Sequence, residues 1–240
     1  MSTAYLSVAH APTRRPREDR PGPAGPLLIA GLCVVAMALT WVVAALVPAT
    51  HVKDAVALYD FTLLGGPRLD DLANALLHLL DPLLYIVWGV ILMAIALGRR
   101  RPLVALAVAF IMGMAPLTSE ILKPLLAHPH AYVGGSWVSA ASWPSGHSTA
   151  ATALVMSAVL VAPARLRPTV AALGVLFVAA VSFSLLILAW HLPSDVVGGY
   201  LVGALWTALA VAGLRVVDAR TRSRSGGSGS GARTMGARIP

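Results

Sequence analysis

The chain has 240 residues, of which 58% are hydrophobic and only 12% are charged, and its formal net charge is +8. Apolar runs of membrane-spanning length recur along it, which excludes an ordinary soluble domain. The positive charge does not indicate a nucleic-acid-binding protein. The basic residues flank these runs and are better explained as determinants of membrane topology. The only cysteine, Cys33, excludes an internal disulfide.

Six apolar runs predict transmembrane helices, since continuous apolar sequence differs from the alternating pattern of a membrane barrel. We therefore expect an all-α, polytopic membrane protein whose membrane domain covers residues 26–217. The polar residues 1–25 and the Arg-, Ser- and Gly-rich residues 218–240 are expected to be disordered tails. The six predicted spans are Pro26–Val47, Pro82–Leu97, Pro102–Leu122, Gly146–Val161, Pro168–Trp190 and Val196–Val217.

The distribution of basic residues predicts the orientation. An even number of spans places both termini on one side, and 15 of the 18 Lys and Arg residues fall on that side. The positive-inside rule then puts both termini in the cytoplasm of a protein of the plasma membrane. The other three basic residues, Lys53, Arg68 and Lys123, fall on the extracytoplasmic side.

The outer segment between Pro48 and Asp81 is expected to contain an interfacial helix over Leu69–Leu80. His78 with two nearby aspartates suggests a metal site at first sight. The spacing matches no strong ligand pattern, and a solvated helix face explains it better. No metal site is predicted.

The stretch Trp143–Thr149 places Ser145 and Gly146 at the entrance of an apolar helical run. The first amides of a helix lack partners within it and favour an anion such as phosphate. His147 adds a group that carries a proton near neutral pH. The alternative interpretation is a capped transmembrane helix with an interfacial histidine.

Two further segments reach the same predicted face. Glu120 and Lys123, at the end of the third run, are three residues apart and meet on one helix face. Asp195, in the first turn of the last helix, is placed to reach the ring of His191. A carboxylate on one imidazole nitrogen fixes the tautomer and makes the other nitrogen a better nucleophile.

These motifs resemble those of the type-2 phosphatidic acid phosphatase and haloperoxidase superfamily. Its signature is a Lys followed seven residues later by Arg-Pro, then Pro-Ser-Gly-His, then Ser-Arg, five residues, His, three residues and Asp. Lys123 matches the first lysine, Pro144–His147 matches the second part in full, and His191 with Asp195 matches the end of the third.

The resemblance implies a helical bundle core that hydrolyses a phosphoester of a membrane lipid through a covalent phosphohistidine, with no cofactor. His191 would be the nucleophile, Asp195 its orienting partner and His147 the proton donor to the leaving oxygen. Lys123, the Ser145 hydroxyl and the Gly146 amide would stabilise charge on the phosphate.

The sequence departs from the signature at both arginines. Seven residues after Lys123 stands His130, followed by Ala131, and His128-Pro129 is an alternative alignment of the same segment. Ser184-Leu185 stands where the third part has Ser-Arg. We expect His130 to bind phosphate when protonated. We also expect an enzyme that is slower, that is more sensitive to pH, or that holds the substrate phosphate differently.

Two other functions are compatible with this scaffold. The first is a weak or inactive family member that binds or transports lipid phosphates. The second is a vanadate-dependent haloperoxidase, which the predicted spans and the missing arginines disfavour. The sequence leaves the particular lipid and the oligomeric state open.

Overall fold

The computed structural model describes residues 22–131 and 138–227, and this part of the chain contains helices and no strands. The predicted all-α class is confirmed. A short 3-10 turn, Ala164–Leu166, precedes the seventh α-helix. The helices are α1 (Ala24–Leu46), α2 (Pro48–Thr62), α3 (Pro67–His78), α4 (Pro82–Gly98), α5 (Pro102–Leu125), α6 (Gly146–Val161), α7 (Arg167–Ile187) and α8 (Pro193–Gly227).

Four segments are long and apolar enough to cross a membrane: α1, α5, α7 with its preceding turn, and α8. A fifth span results if α3 and α4, bent by 53° at their junction, are taken together. The protein is therefore a multi-pass membrane protein, as predicted. The count of six spans is not confirmed, because α6 has only 16 residues and is about 24 Å long.

Two boundaries differ from the predictions. The outer segment contains two helices, α2 and α3, where the sequence predicted one, although Pro48 at the start of α2 is a normal signal for a helix start. At the other end, α8 continues to Gly227, so residues 218–227 are helical where a disordered tail was expected. Residues 1–21 and 228–240 of the predicted tails lie outside the described residues.

Helix α6 forms the centre of the bundle and packs against α4, α5, α7 and α8. A helix that is apolar on all sides belongs in the interior. Small residues on several faces of α6 allow its neighbours to approach, and Ala151, Ala153 and Ser157 are completely buried. The first turn of α6 is thereby surrounded by the ends of other helices.

Two glycines bring α8 into close contact with α6. A Cβ atom on Gly199 would lie 2.7 Å from the Ser145 carbonyl oxygen and 2.9 Å from the Thr149 nitrogen. One turn later, a Cβ on Gly203 would lie 2.7 Å from the Cβ of Thr152. This spacing of small residues is typical of membrane helices whose backbones pack closely. It places the first turns of α6 and α8 side by side.

Two arginines define the opposite end of α6. Arg99 donates a hydrogen bond from Nη1 to the Val161 carbonyl (2.7 Å), and Arg101 Nη1 donates to the Leu160 carbonyl (3.4 Å). Cations are favoured at a helix C-terminus, where carbonyl groups lack partners. The arginine-rich side and the first turn of α6 therefore lie at opposite ends of this helix.

Replacing Gly199 with alanine tests the close approach. The new methyl group meets backbone atoms that cannot rotate away, so we expect Gly199→Ala to lower the free energy of unfolding by about 1–3 kcal/mol and to separate Ser145 from α8. Gly213→Ala on the same helix is the matched control, because a Cβ there has no heavy atom within 4 Å. Thermal unfolding in detergent measures both variants, and equal midpoints would contradict the tight contact.

Candidate active site

Ser145 caps α6 at the position predicted from the sequence. Its hydroxyl oxygen accepts a hydrogen bond from the Ser148 backbone nitrogen at 3.4 Å, and α6 begins at Gly146. The Ser145 backbone nitrogen donates to the Asp195 carbonyl at 2.9 Å. Because Asp195 lies in the first turn of α8, this bond joins the two motifs directly.

Lys123 extends from the end of α5 to the start of α6. Its ammonium lies 2.6 Å from Glu120 Oε1, the ion pair that the three-residue spacing predicted. A Cβ on Gly146 would lie only 3.4 Å from Lys123 Nζ. Glycine at this position therefore lets the cation approach the first backbone amides of α6.

Ser119 was not singled out from the sequence, although it stands one helical turn before Lys123. Its buried hydroxyl donates a hydrogen bond to the Pro144 carbonyl at 3.0 Å. This bond ties α5 to the loop just ahead of Ser145. The same helix thus supplies a cation and holds the segment that the cation faces.

His191 and Asp195 are in contact, as predicted. His191 Nδ1 lies 3.3 Å from Asp195 Oδ2, and the Leu192 backbone nitrogen donates to the same oxygen at 3.0 Å. The Asp195 side chain is fully buried and that of His191 is 12% exposed. A carboxylate on Nδ1 leaves Nε2 as the nitrogen available for chemistry.

Trp190 connects the two histidines. The ring of His147 packs edge-on against the ring of Trp190, with centroids 5.7 Å apart, and Trp190 directly precedes His191. His147 also interacts electrostatically with His191, Lys123 and Asp81. The three signature segments therefore form one site at the N-terminal ends of α6 and α8.

His130 joins this site through the loop before α6. Its Nε2 lies 3.0 Å from both the Ser139 carbonyl and the Ser142 hydroxyl. Burial lowers the pKa of His130, and its electrostatic interactions with His128 and His51 act in the same direction, whereas Asp195 and the Ser139 carbonyl raise it. The neutral ring is therefore favoured at physiological pH, and a cation forms only in more acidic solution.

His128, the alternative in the same segment, has a different environment. It is buried, its Nδ1 lies 3.0 Å from the Leu126 carbonyl, and its ring packs edge-on against Trp41. Its ring also lies 4.7 Å from that of His130 and 5.8 Å from that of His51. Within residues 22–131 and 138–227, no group of three or more His, Cys, Asp and Glu residues is arranged to hold a metal ion.

Leu185, at the position of the second signature arginine, is completely buried. It belongs to the apolar core that also contains Val108 and Val181. A guanidinium at this position would need a partner in the core, because an unpaired buried charge is strongly unfavourable. The two positions that align with the signature arginines therefore differ. His130 is a titratable group, whereas Leu185 is an apolar side chain packed in the core.

An open cavity of about 450 Å³ extends from the site between α4, α5 and α6. Lys123, Gly146, His147, Asp81 and Glu120 form its polar portion. The rest of its wall is mainly apolar and is formed by Leu80, Pro82, Tyr85, Ile86, Met112, Gly113, Pro116 and Ala150.

The model of the PAP2 superfamily matches residues 83–217, which is more than half of the chain and includes α5, α6, α7 and α8 as far as Val217, with every signature segment. The chain belongs to the PAP2 superfamily.

A solved structure supports the same fold. The chain is similar to the crystal structure of the first transmembrane PAP2-type phosphatidylglycerolphosphate phosphatase, from Bacillus subtilis, with a TM-score of 0.58 and 20% identity. The match covers 78% of this chain and 93% of that one. No curated protein matches the chain. This likeness shows that the two chains share a fold.

Substitution of His130 tests its expected part in binding phosphate. If its cation stabilises the substrate phosphate, activity falls as pH rises through the lowered pKa of His130, because the imidazolium loses its proton there. We expect His130→Gln to lose this pH-dependent component. We expect His130→Arg to keep a cation at all pH values and to raise kcat/KM at and above neutral pH by about tenfold or more.

Profiles of kcat/KM against pH for the wild type and the two variants provide the measurement. Thermal unfolding of each variant controls for damage to the loop. Identical profiles for the wild type and His130→Gln would contradict a part for this imidazole.

Proposed function

We propose that this protein hydrolyses a lipid phosphate or diphosphate, of the polyprenyl or phosphatidate type, through a phosphohistidine formed on His191. The observation that carries the proposal is the convergence of two histidines on one site. His147 packs against Trp190, the residue before His191, and the Ser145 amide at the start of α6 donates a hydrogen bond to the Asp195 carbonyl in the first turn of α8.

In the first step, His191 Nε2 attacks phosphorus, a P–N bond forms, and the bond from phosphorus to the leaving oxygen breaks. Asp195 stabilises the positive charge that develops on the ring, since its carboxylate lies against Nδ1. His147 donates a proton to the leaving oxygen, which departs as an alcohol or as a monophosphate.

In the second step, water attacks the phosphohistidine. The P–N bond breaks, inorganic phosphate leaves, and His191 recovers its electron pair. His147, now neutral, accepts the proton of the attacking water, so that both histidines return to their initial states.

Charge on the phosphate oxygens is stabilised by Lys123 and by the backbone amide of Gly146. Helix N-termini and cations of this kind supply most of the protein's contribution to phosphoryl transfer. The Ser145 hydroxyl is a further donor in the proposed site. Glu120 Oε1 lies 2.6 Å from the Lys123 ammonium, which lies next to Gly146.

The cavity beside Lys123 and His147 favours a substrate with an apolar tail. Its polar end receives the phosphate, and its walls of α4 and α5 side chains receive hydrocarbon. A soluble phosphate ester leaves this apolar surface in contact with water, which is less favourable.

The extracytoplasmic face is the proposed location of the reaction. Arg99 and Arg101 contact the end of α6 opposite to the site, and clustered arginines mark the cytoplasmic side. Both termini are then cytoplasmic in a protein of the plasma membrane, and membrane lipids are its partners.

A second candidate function is the binding of lipid phosphates with weak or no catalysis. The buried Leu185 and the lowered pKa of His130 favour it, because neither signature position provides a permanent cation. The scaffold and the cavity are the same in both functions, so measurement of turnover distinguishes them.

Phosphate release from detergent-solubilised protein tests the reaction. We expect release from at least one of phosphatidate, phosphatidylglycerolphosphate and polyprenyl diphosphate. His191→Ala removes the nucleophile, and we expect release to fall by about 10³-fold or more. Asp195→Asn should also lower release, whereas Asp60→Asn on exposed α2 surface serves as the matched control.

Rapid quenching in base then tests the intermediate. A phosphohistidine is labile to acid and stable to base, so we expect an acid-labile phosphate on His191 in the wild type only. Equal phosphate release by the wild type and His191→Ala would end the enzymatic proposal. Retention of lipid phosphate by both proteins would then favour the binding function.

A further inference from the structure

Helix α2 contacts the beginning of α8 through one carboxylate. Asp54 Oδ2 accepts a hydrogen bond from the Ser194 hydroxyl at 2.5 Å, and Asp54 Oδ1 accepts one from the Ser194 backbone nitrogen at 3.3 Å. Ser194 directly precedes Asp195. The contact joins residues 140 positions apart, and no signature motif includes Asp54.

Few backbone donors in the first turn of α8 have hydrogen-bond partners within the helix. Backbone donors in a first turn require acceptors from outside the helical ladder. Pro193 has no donor, and Asp195 reaches back to accept from the Leu192 nitrogen in the manner of a capping box. The Ser194 amide is the donor that remains, and Asp54 accepts from it.

We propose that Asp54 is a positioning residue for the His191–Asp195 pair, acting by fixing the first turn of α8 through Ser194. This inference rests on the proposed function, because it assigns a task to the same pair. Asp54 itself does not line the cavity that contains Lys123 and His147, so it acts through α8 without touching substrate.

The geometry of the pair makes it sensitive to small movements. The distance from His191 Nδ1 to Asp195 Oδ2 is 3.3 Å, near the long limit of a hydrogen bond. A shift of the first turn by a few tenths of an ångström breaks this contact. The ring then loses the carboxylate that fixes its tautomer and orientation.

The surroundings of Asp54 strengthen its hydrogen bonds with Ser194. The carboxylate is half-buried at the edge of an open cavity of about 540 Å³ between α1, α2 and α8. Apolar side chains of α1, including Leu39 and Val43, form part of its wall. Hydrogen bonds to a charged acceptor are stronger where water competes less.

Three variants separate this role from general destabilisation. Asp54→Ala removes both hydrogen bonds to Ser194. Asp54→Asn keeps both, because the amide oxygen accepts from the backbone nitrogen and the amide NH₂ donates to the Ser194 hydroxyl. Asp60→Ala is the matched control, since it removes an exposed carboxylate from the same helix.

We expect kcat to fall by about tenfold to a hundredfold in Asp54→Ala with KM within about twofold of the wild type, because substrate contacts are kept and orientation is lost. Asp54→Asn should stay within about threefold of the wild type in both constants. Wild-type kcat in Asp54→Ala, or an equal loss in both Asp54 variants, would overturn the proposal.

Hydrogen exchange of a peptide covering residues 189–197 tests the contact without relying on turnover. We expect exchange at the start of α8 to accelerate by about tenfold or more in Asp54→Ala and to stay unchanged in Asp60→Ala. Unchanged exchange in Asp54→Ala overturns the inference. If the wild type releases no more phosphate than His191→Ala, the proposed function has failed, and exchange alone then decides whether Asp54 fixes this turn.

Discussion

The close approach of α6 and α8 is the constraint on which the site depends. Gly199 and Gly203 have no side chains to hold α8 away from α6, and the Ser145 amide donates to the Asp195 carbonyl. That one bond joins the start of α6 to the first turn of α8, which carries the Asp195 carboxylate. The ring of His147 packs against Trp190, which directly precedes His191.

Local contacts were predictable from the sequence, whereas the contact between α2 and α8 was not. The pairs Glu120–Lys123 and His191–Asp195 are separated by three and four residues, and this helical spacing predicts both contacts. The hydrogen bonds between Ser194 and Asp54 join positions 140 residues apart. No local sequence pattern predicts such a contact. The six predicted runs all coincide with helices, yet the short α6 shows that apolar sequence also marks a buried centre.

The two positions that align with the signature arginines have different environments. Leu185 contributes to an apolar core. His130 keeps a polar environment with Ser139 and Ser142. Its charge depends on the solution, whereas a guanidinium stays charged at every physiological pH. Under the proposed function, the positive charge of the phosphate site would therefore depend partly on pH.

The length of α6 has a consequence for how a substrate arrives. At about 24 Å, this helix is about 6 Å shorter than the hydrocarbon thickness of a typical bilayer. In the proposed orientation, the end of α6 that Arg99 and Arg101 contact lies at the cytoplasmic face, and the first turn of α6 is recessed below the opposite face. A headgroup embedded in that leaflet would reach the recess by lateral diffusion, whereas a soluble ion would have to enter it from the water. Under the proposed function, this depth favours lipid phosphates over soluble phosphate esters.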